Sequence, residues 1–272
     1  MNVPNEQIKT WSQHIDFQLI SLRFAQASNL YSQADPFPHV VFEDLFDLVL
    51  LREVVKEFPP PEDMDGSFRG VEQGGKSYLQ EYEKLGPASR ELIAALNSGP
   101  FVRALCELTS IKHLISDPYL SGGGLHQTRK GGRLKIHSDF NFHPELRLSR
   151  RVNLLIYLNE GWEESWGGNL ELWDKDMSHA VVSVSPKIGS VVVFTCSDTS
   201  YHGLPDDIKC PDDVNRKSIA MYYYSVPEDA AIGHSTIWKE RPDDNFMKSP
   251  LVRIRNSAPY FYRGLKTLFR GS

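Results

Sequence analysis

Between about residue 115 and residue 226 the chain is a series of short β-rich runs parted by turn residues: RLKIHSDF, RVNLLIYLN, GGNLELWD, AVVSVSPKIGSVVVFTC and KSIAMYYYSV. Branched and aromatic side chains fit a pleated, half-buried surface, while Gly, Pro, Asn and Asp interrupt it. Runs of this length and spacing predict an antiparallel sandwich or barrel. Two of them alternate in a way that separates their faces. In the first, Asn153, Leu155, Tyr157 and Asn159 oppose Val152, Leu154, Ile156 and Leu158. In the second, Arg216, Ser218, Ala220, Tyr222 and Tyr224 oppose Lys217, Ile219, Met221 and Tyr223.

The first 115 residues read as a mainly helical support. Residues 5–33 carry Ile8, Trp11, Ile15, Leu19 and Leu22 at helical spacings. DPFPHVVFEDLF begins extended, FEDLFDLVLLREVVKEFPPP continues as an amphipathic helix stopped by its prolines, and 62–77 is loose. A further helical region spans about 87–110, with Pro87 near its start. After Pro227 the chain becomes irregular. The expected organisation is one catalytic domain over 1–272, with helical support at 1–115, a β core at 116–226 and a C-terminal extension at 227–272.

A net charge of −5 argues against a general nucleic-acid binder. No apolar run is long enough to span a membrane, so no stable membrane insertion is expected, and the N-terminus lacks the pattern of a signal peptide. Cys106, Cys196 and Cys210 form no CxxC pair and no disulfide framework. We therefore expect a cytoplasmic protein whose metal, where it has one, is held by histidines and carboxylates.

RLKIHSDFNFHP supplies such groups. His137 and Asp139 stand two apart, so a strand presents them on one face while Ser138 looks away. SVVVFTCSDTSYHGLP places His202 just past a strongly apolar strand that can lie beside them. Two histidines and one carboxylate with open positions form the facial triad of non-haem Fe(II) oxygenases. His143 lies six residues past His137, about 20 Å along an extended chain, and Pro144 suits a loop there, near the substrate at most. His126 is placed to support the site or touch substrate. His14, His39, His113, His179 and His234 lack ligand spacing and read as surface or structural histidines.

Such an oxygenase needs a dicarboxylate cosubstrate, one end on iron and the other on a cation. Arg216, followed inward by Ser218, can grip a carboxylate through charge-assisted, two-pronged hydrogen bonds, and Tyr157 can add its hydroxyl. Lys217 is the competing cation, on the opposite face.

In this order, HSD at 137–139, RVNLLIYLNEGWEESWGGNLELWD, His202 and RKSIAMYYYS resemble the Fe(II)/2-oxoglutarate-dependent dioxygenases, most closely the prolyl-4-hydroxylase-type superfamily. The match is firm over 116–226 and looser over 35–60, where DPFPHVVFEDLFD resembles the opening of a bacterial branch related to ribosomal-protein prolyl hydroxylases. The resemblance implies a double-stranded β-helix, the cupin-like jelly roll, mainly β with helices on one outer face. It implies iron ligation by His137, Asp139 and His202 and 2-oxoglutarate binding by Arg216, Tyr157 and Ser218. It also points to Gln127, which stands where some relatives carry an aromatic hydroxyl ten residues before the first histidine. The implied cofactors are Fe(II), 2-oxoglutarate and O₂, with ascorbate in support. Because Asp139 is retained, the implied reaction is hydroxylation, with 2-oxoglutarate converted to succinate and CO₂.

The implied substrate is a peptidyl proline or a free small molecule. Arg129, Lys130, Arg133, Lys135, Arg147, Arg150 and Arg151 surround the triad strands and point to an anionic substrate, or simply to a solvated basic rim. A non-catalytic metal-binding jelly roll, acting as a sensor or interaction module, is the competing class, although it has no use for an inward Arg216 with Tyr157. The basic C-terminal stretch with Lys248, Arg253, Arg255, Arg263, Lys266 and Arg270 carries aromatics that can pack on the domain.

Overall fold

The structure, a computed structural model, describes residues 10–143, 145–227 and 233–242. Its elements run α1 (Phe17–Gln33), β1 (His39–Phe42), α2 (Leu48–Lys56), β2 (Gly66–Arg69), β3 (Gln73–Leu79), α3 (Pro87–Leu96), α4 (Gly99–Thr109), β4 (Ile115–Ser116) and β5 (Gly124–Ser138). They continue with β6 (Phe142–His143), β7 (Leu148–Tyr157), β8 (Leu170–Trp173), β9 (Ala180–Val184), β10 (Val191–Thr195), β11 (His202–Leu204), β12 (Arg216–Ser225) and β13 (Ile237–Trp238).

The strands join in the order β1-β10-β7-β12-β5-β11-β8-β9, and the named ladders are antiparallel. They form the mainly antiparallel, curled half-barrel expected of a double-stranded β-helix, with the four α-helices of the described residues packed outside. β5 is the spine. Its first part pairs with β12, its last part with β11, and β3 runs along its other edge.

The alternation expected for β7 and β12 decides which face is which. Val152, Leu154, Ile156, Ile219, Met221 and Tyr223 are fully buried in one apolar core with Ile20, Phe24, Leu50, Leu92 and Phe101 of the helices. Removing about ten such side chains from water, at about 1.5–3 kcal/mol each, is what fixes the helices to the sheet. The opposite face of β7, with Asn153, Leu155 and Tyr157, turns into the barrel beside Leu170, Val192 and Phe194.

The helical third differs from expectation in its phase. Residues 5–9 lie outside the described residues, and the remainder is not one helix. Asp16 starts α1 by accepting hydrogen bonds from the Gln18 and Leu19 amides at 2.9 Å. The buried stripe is then Ile20, Phe24, Ala27 and Tyr31, leaving Leu19 and Leu22 exposed. α2 likewise begins later than predicted because the Asp47 carboxylate caps it at Val49. The region 87–110 divides into α3 and α4, the second opening with Pro100 in its first turn.

Two segments read as loose or irregular are strands. Residues 62–77 contain most of the β2–β3 hairpin, and Ile237 and Trp238 pair with Ser138 and His137. Both cover the mouth of the barrel. The basic tail beyond residue 242 and Pro144 lie outside the described residues. Among the described residues no helix is long and apolar enough to cross a membrane.

Candidate active site

β5 and β11 bring the first two predicted ligands together. His202 faces His137 across their ladder, with ring centroids 4.5 Å apart. Asp139 follows β5 directly, and its carboxylate lies 3.4 Å from Nε2 of each histidine. One ligand atom from each residue lies within 4.8 Å of the other two.

The proton positions follow from the backbone. His137 Nδ1 lies 2.8 Å from the Lys135 carbonyl, and His202 Nδ1 lies 2.9 Å from that of Ser200. A carbonyl can only accept, so each Nδ1 is the donor, which leaves Nε2 of the neutral ring as the ligating nitrogen facing the carboxylate. Burial, then the neighbouring His202, holds the His137 pKa below its ordinary value, which favours the neutral ligating form. Burial opposes ionisation of Asp139, but the Arg150 guanidinium overrides it and keeps the pKa well below the usual carboxylate range. Two imidazoles and an ionised carboxylate fit a divalent iron ion.

Sequence reasoning put Arg150 on the basic rim. It is instead buried, 3% exposed, with Nη2 donating to Asp139 Oδ2 at 2.9 Å. Asn153 donates to the same oxygen at 2.7 Å, and Arg150 Nε donates to Asn153 Oδ1 at 2.8 Å. Tyr222 and Phe140 lie against the guanidinium, with centroids 3.4 and 4.5 Å from its central carbon. Strict alternation would turn Arg150 outward with Val152. A register shift between Tyr223 and Tyr224 of β12 reverses that, because Asn153 pairs with Tyr222 while Arg150 pairs with Tyr224.

Arg216, Ser218 and Tyr157 meet elsewhere in the same cavity. Ser218 pairs with Tyr157 across β12 and β7, and the Arg216 guanidinium carbon is 4.8 Å from the Tyr157 ring centroid. Arg216 Nε donates to the Gly168 carbonyl at 2.6 Å, which aims the terminal nitrogens. The Tyr157 hydroxyl is buried without a hydrogen-bond partner among the described residues. Burial raises the Tyr157 pKa against the pull of Arg216, so the hydroxyl keeps a proton to donate. An orphaned donor beside a guanidinium fits a carboxylate ligand. Lys217 is on the outer face, its ammonium 5.5 Å from the Phe58 ring centroid.

Gln127 is a correction. Its amide donates to the Pro59 carbonyl at 2.8 Å, packs on the Met64 sulfur and accepts from Asn215, outside the cavity. A bulge is the physical reason. Gly131, with φ +72°, and Gly132 shift the register between Thr128 and Leu134, so counting back from His137 lands on the wrong face. A Cβ at Gly132 would stand 2.4 Å from Thr128 Cγ2, which is why glycine sits there. His126 and Thr128 line the cavity instead. Burial, then the nearby Lys76 charge, holds the His126 pKa well below its ordinary value, so this ring is neutral.

His143 is a second correction. It is fully buried in β6 rather than lying in a loop near substrate, with Nε2 3.6 Å from Asp117 and the Tyr224 ring beside it. Two of the rim cations answer loop acids: Arg133 pairs with Asp207 and Lys130 with Asp212.

A cavity of about 790 Å³ joins these groups and is closed in part by segments the sequence did not reveal. The β2–β3 hairpin contributes Phe68, Lys76 and Tyr78, and β13 contributes Trp238, whose ring lies 5.1 Å from that of His137.

Non-haem Fe(II) oxygenases hold their metal with two imidazoles and one carboxylate on one face, and this barrel brings the same three ligand types together. Residues 123–224 match the model of the 2OG-Fe(II) oxygenase superfamily. The chain is similar to the prolyl 3-hydroxylase OGFOD1 of Mus musculus, 28% identical over 86 residues, which are 30% of this chain and 15% of that one. The chain thus spans a small part of that relative's length. A prolyl-4-hydroxylase from Pseudomonas putida superposes with a TM-score of 0.54 at 17% identity, over 74% of this chain and 98% of the other. Prolyl 4-hydroxylase from Phytophthora capsici gives 0.55 at 21% identity, over 94% and 80%. A prolyl hydroxylase from Trichoplax adhaerens, in complex with a hypoxia inducible factor peptide fragment, gives 0.53 at 15% identity, over 80% and 94%. At these identities the structural likeness is one of fold.

Proposed function

We propose that this chain is an Fe(II)/2-oxoglutarate-dependent hydroxylase acting on a C–H bond of a prolyl residue in a peptide. The observation that carries this reading is the pairing of two sites in one cavity: the His137–Asp139–His202 cluster and the Arg216–Tyr157 anion receptor. A metal-binding sensor needs the first and has no use for the second.

In this reading His137, Asp139 and His202 hold Fe(II), and Arg216, Tyr157 and Ser218 hold the distal carboxylate of 2-oxoglutarate. Bound together with O₂, these groups supply the oxidant that removes hydrogen from carbon and returns hydroxyl. The protein's part is to fix the ligands, orient the C–H bond and keep water out. Arg150 and Asn153 hold the carboxylate ligand in one orientation. Leu155, Leu170 and Phe194 give the interior apolar walls, and Trp238 shields His137 from solvent. The mainly helical residues 10–115 and the barrel act as one catalytic unit, supported by their shared core.

A free small molecule is the second reading, favoured by a cavity within the size range of small-ligand sites. A cytoplasmic location belongs to the proposal and is supported by three free cysteines. The test is succinate formation from 2-oxoglutarate with Fe(II) and ascorbate, followed by accurate mass of candidate products. Absence of turnover with every substrate, together with tight zinc retention, overturns the oxygenase reading. An added oxygen on a peptide or on a metabolite separates the substrate classes.

A further inference from the structure

The β2–β3 hairpin carries a cation into the cavity that neither ligand set uses. Lys76 pairs with Thr128 through the backbone, beside Tyr78 opposite His126, so its side chain points into the barrel. Among the described residues its ammonium has no hydrogen-bond or ion-pair partner, and it stands 5.8 Å from the Phe68 ring centroid. Burial pushes its pKa down to about 8, with Asp139 opposing that shift and Arg216 and Arg150 adding to it. A lysine in such surroundings is costly to retain unless an anion meets it.

The charge balance of the cavity points the same way. Its walls carry Lys76, Arg150 and Arg216, with Arg133 spent on Asp207, against Glu72 and Asp139, a surplus of one positive charge. Fe(II) and 2-oxoglutarate cancel each other, so the surplus persists in the loaded protein. A second donor is also unspent: Arg150 Nη1 is buried without a partner among the described residues, while the rest of that guanidinium is held by Asp139 and Asn153.

We propose that Lys76 is a specificity-determining residue that binds a carboxylate of the substrate, with Arg150 Nη1 as a second donor to the same cavity. This rests on the hydroxylase reading and narrows it to substrates that carry an anion near the reacting carbon. The carboxylate has two sources, a free acid or the acidic side chain of a peptide. Tyr222 and Phe140, which pack on Arg150, give that substrate an apolar wall.

The experiment is calorimetric titration of the full chain loaded with Mn(II) and 2-oxoglutarate. One arm compares N-acetyl-L-proline with N-acetyl-L-prolinamide, and the other compares the blocked dipeptides Ac-Pro-Glu-NH₂ and Ac-Pro-Gln-NH₂. We expect the acid of one pair to bind at least about tenfold more tightly than its neutral partner, as a charged hydrogen bond allows. Lys76→Gln should erase that difference, Lys76→Arg should restore most of it, and 2-oxoglutarate affinity should move by less than about twofold. If no acid binds more tightly than its neutral partner, or if the preference survives in a folded Lys76→Gln protein, the inference fails. It also fails if Lys76→Gln weakens 2-oxoglutarate about tenfold, which would make Lys76 a cosubstrate contact. Failure of the wild type to bind 2-oxoglutarate at all with Mn(II) overturns the hydroxylase reading itself, and the inference with it.

Discussion

His137 and His202 lie opposite each other on neighbouring antiparallel strands, with ring centroids 4.5 Å apart and each Nδ1 on a backbone carbonyl two residues earlier. The two rings are therefore oriented by the sheet itself before any metal arrives, and only Asp139 depends on side chains to fix it. This division of labour sets the expected effects of substitution.

Removing a ligand should remove the site. His137→Ala or Asp139→Ala is expected to abolish stoichiometric Fe(II) binding and turnover, measured by metal titration and succinate release. Full activity in either variant would refute the cluster as the metal centre.

Disturbing the support of Asp139 should weaken the metal without removing a ligand. Asn153→Ala is expected to lower metal affinity roughly 10–100-fold, the usual range for a residue that orients a ligand. Arg150→Ala should do the same and also cost about 3–5 kcal/mol of stability in the metal-free protein, because it strands a buried carboxylate. Denaturant melts of the metal-free variants read the second effect.

The cosubstrate end can be separated by a pair of neighbours. Arg216→Ala should raise the 2-oxoglutarate concentration for half-maximal turnover by roughly 10–100-fold, from loss of charged hydrogen bonds. Lys217→Ala, which removes a cation on the outer face, should leave it within about twofold. Equal effects of the two would reopen the assignment.

Lys76 gives a pH signature with a definite sign. Its pKa falls from 10.5 in the unfolded chain to about 8 in the folded protein, so between those values the unfolded chain holds more protons. Stability attributable to this residue therefore rises as pH climbs through that window, and the burial cost is complete below it. Lys76→Met should stabilise the protein at pH 7 by roughly 1–2 kcal/mol, after allowance for residual solvent access, at the expense of substrate recognition. Melts from pH 7 to 10.5 should show the gap between variant and wild type closing; a constant gap would refute the desolvated ammonium.

Gly132→Ala should lower stability by about 2 kcal/mol or more, since its Cβ meets Thr128 Cγ2 at 2.4 Å and the Arg129 carbonyl at 2.8 Å. The same bulge sets which β5 residues enter the cavity, so cosubstrate affinity should fall with it. Thermal melts and 2-oxoglutarate titrations of the variant check both.

The amino-acid sequence by itself determined what depends on neighbours along the chain. Alternation in β7 and β12 assigned Leu155, Tyr157, Arg216, Ser218 and Tyr222 to the cavity and Leu154, Ile156, Ile219 and Met221 to the helices. His137 and Asp139 were legible as a pair because two residues of strand place them together. Tertiary structure decided what depends on pairing between distant segments. The bulge at Gly131–Gly132 turned Gln127 out and His126 in, and the register shift opposite Tyr223–Tyr224 drew Arg150 inward to Asp139. β3 and β13 look polar and broken as sequence, because the strand they pair with is β5, distant along the chain. A period of two is a local property, whereas where the period slips is set by the strand alongside, so the slips and the lid of the site appear only once the chain has folded.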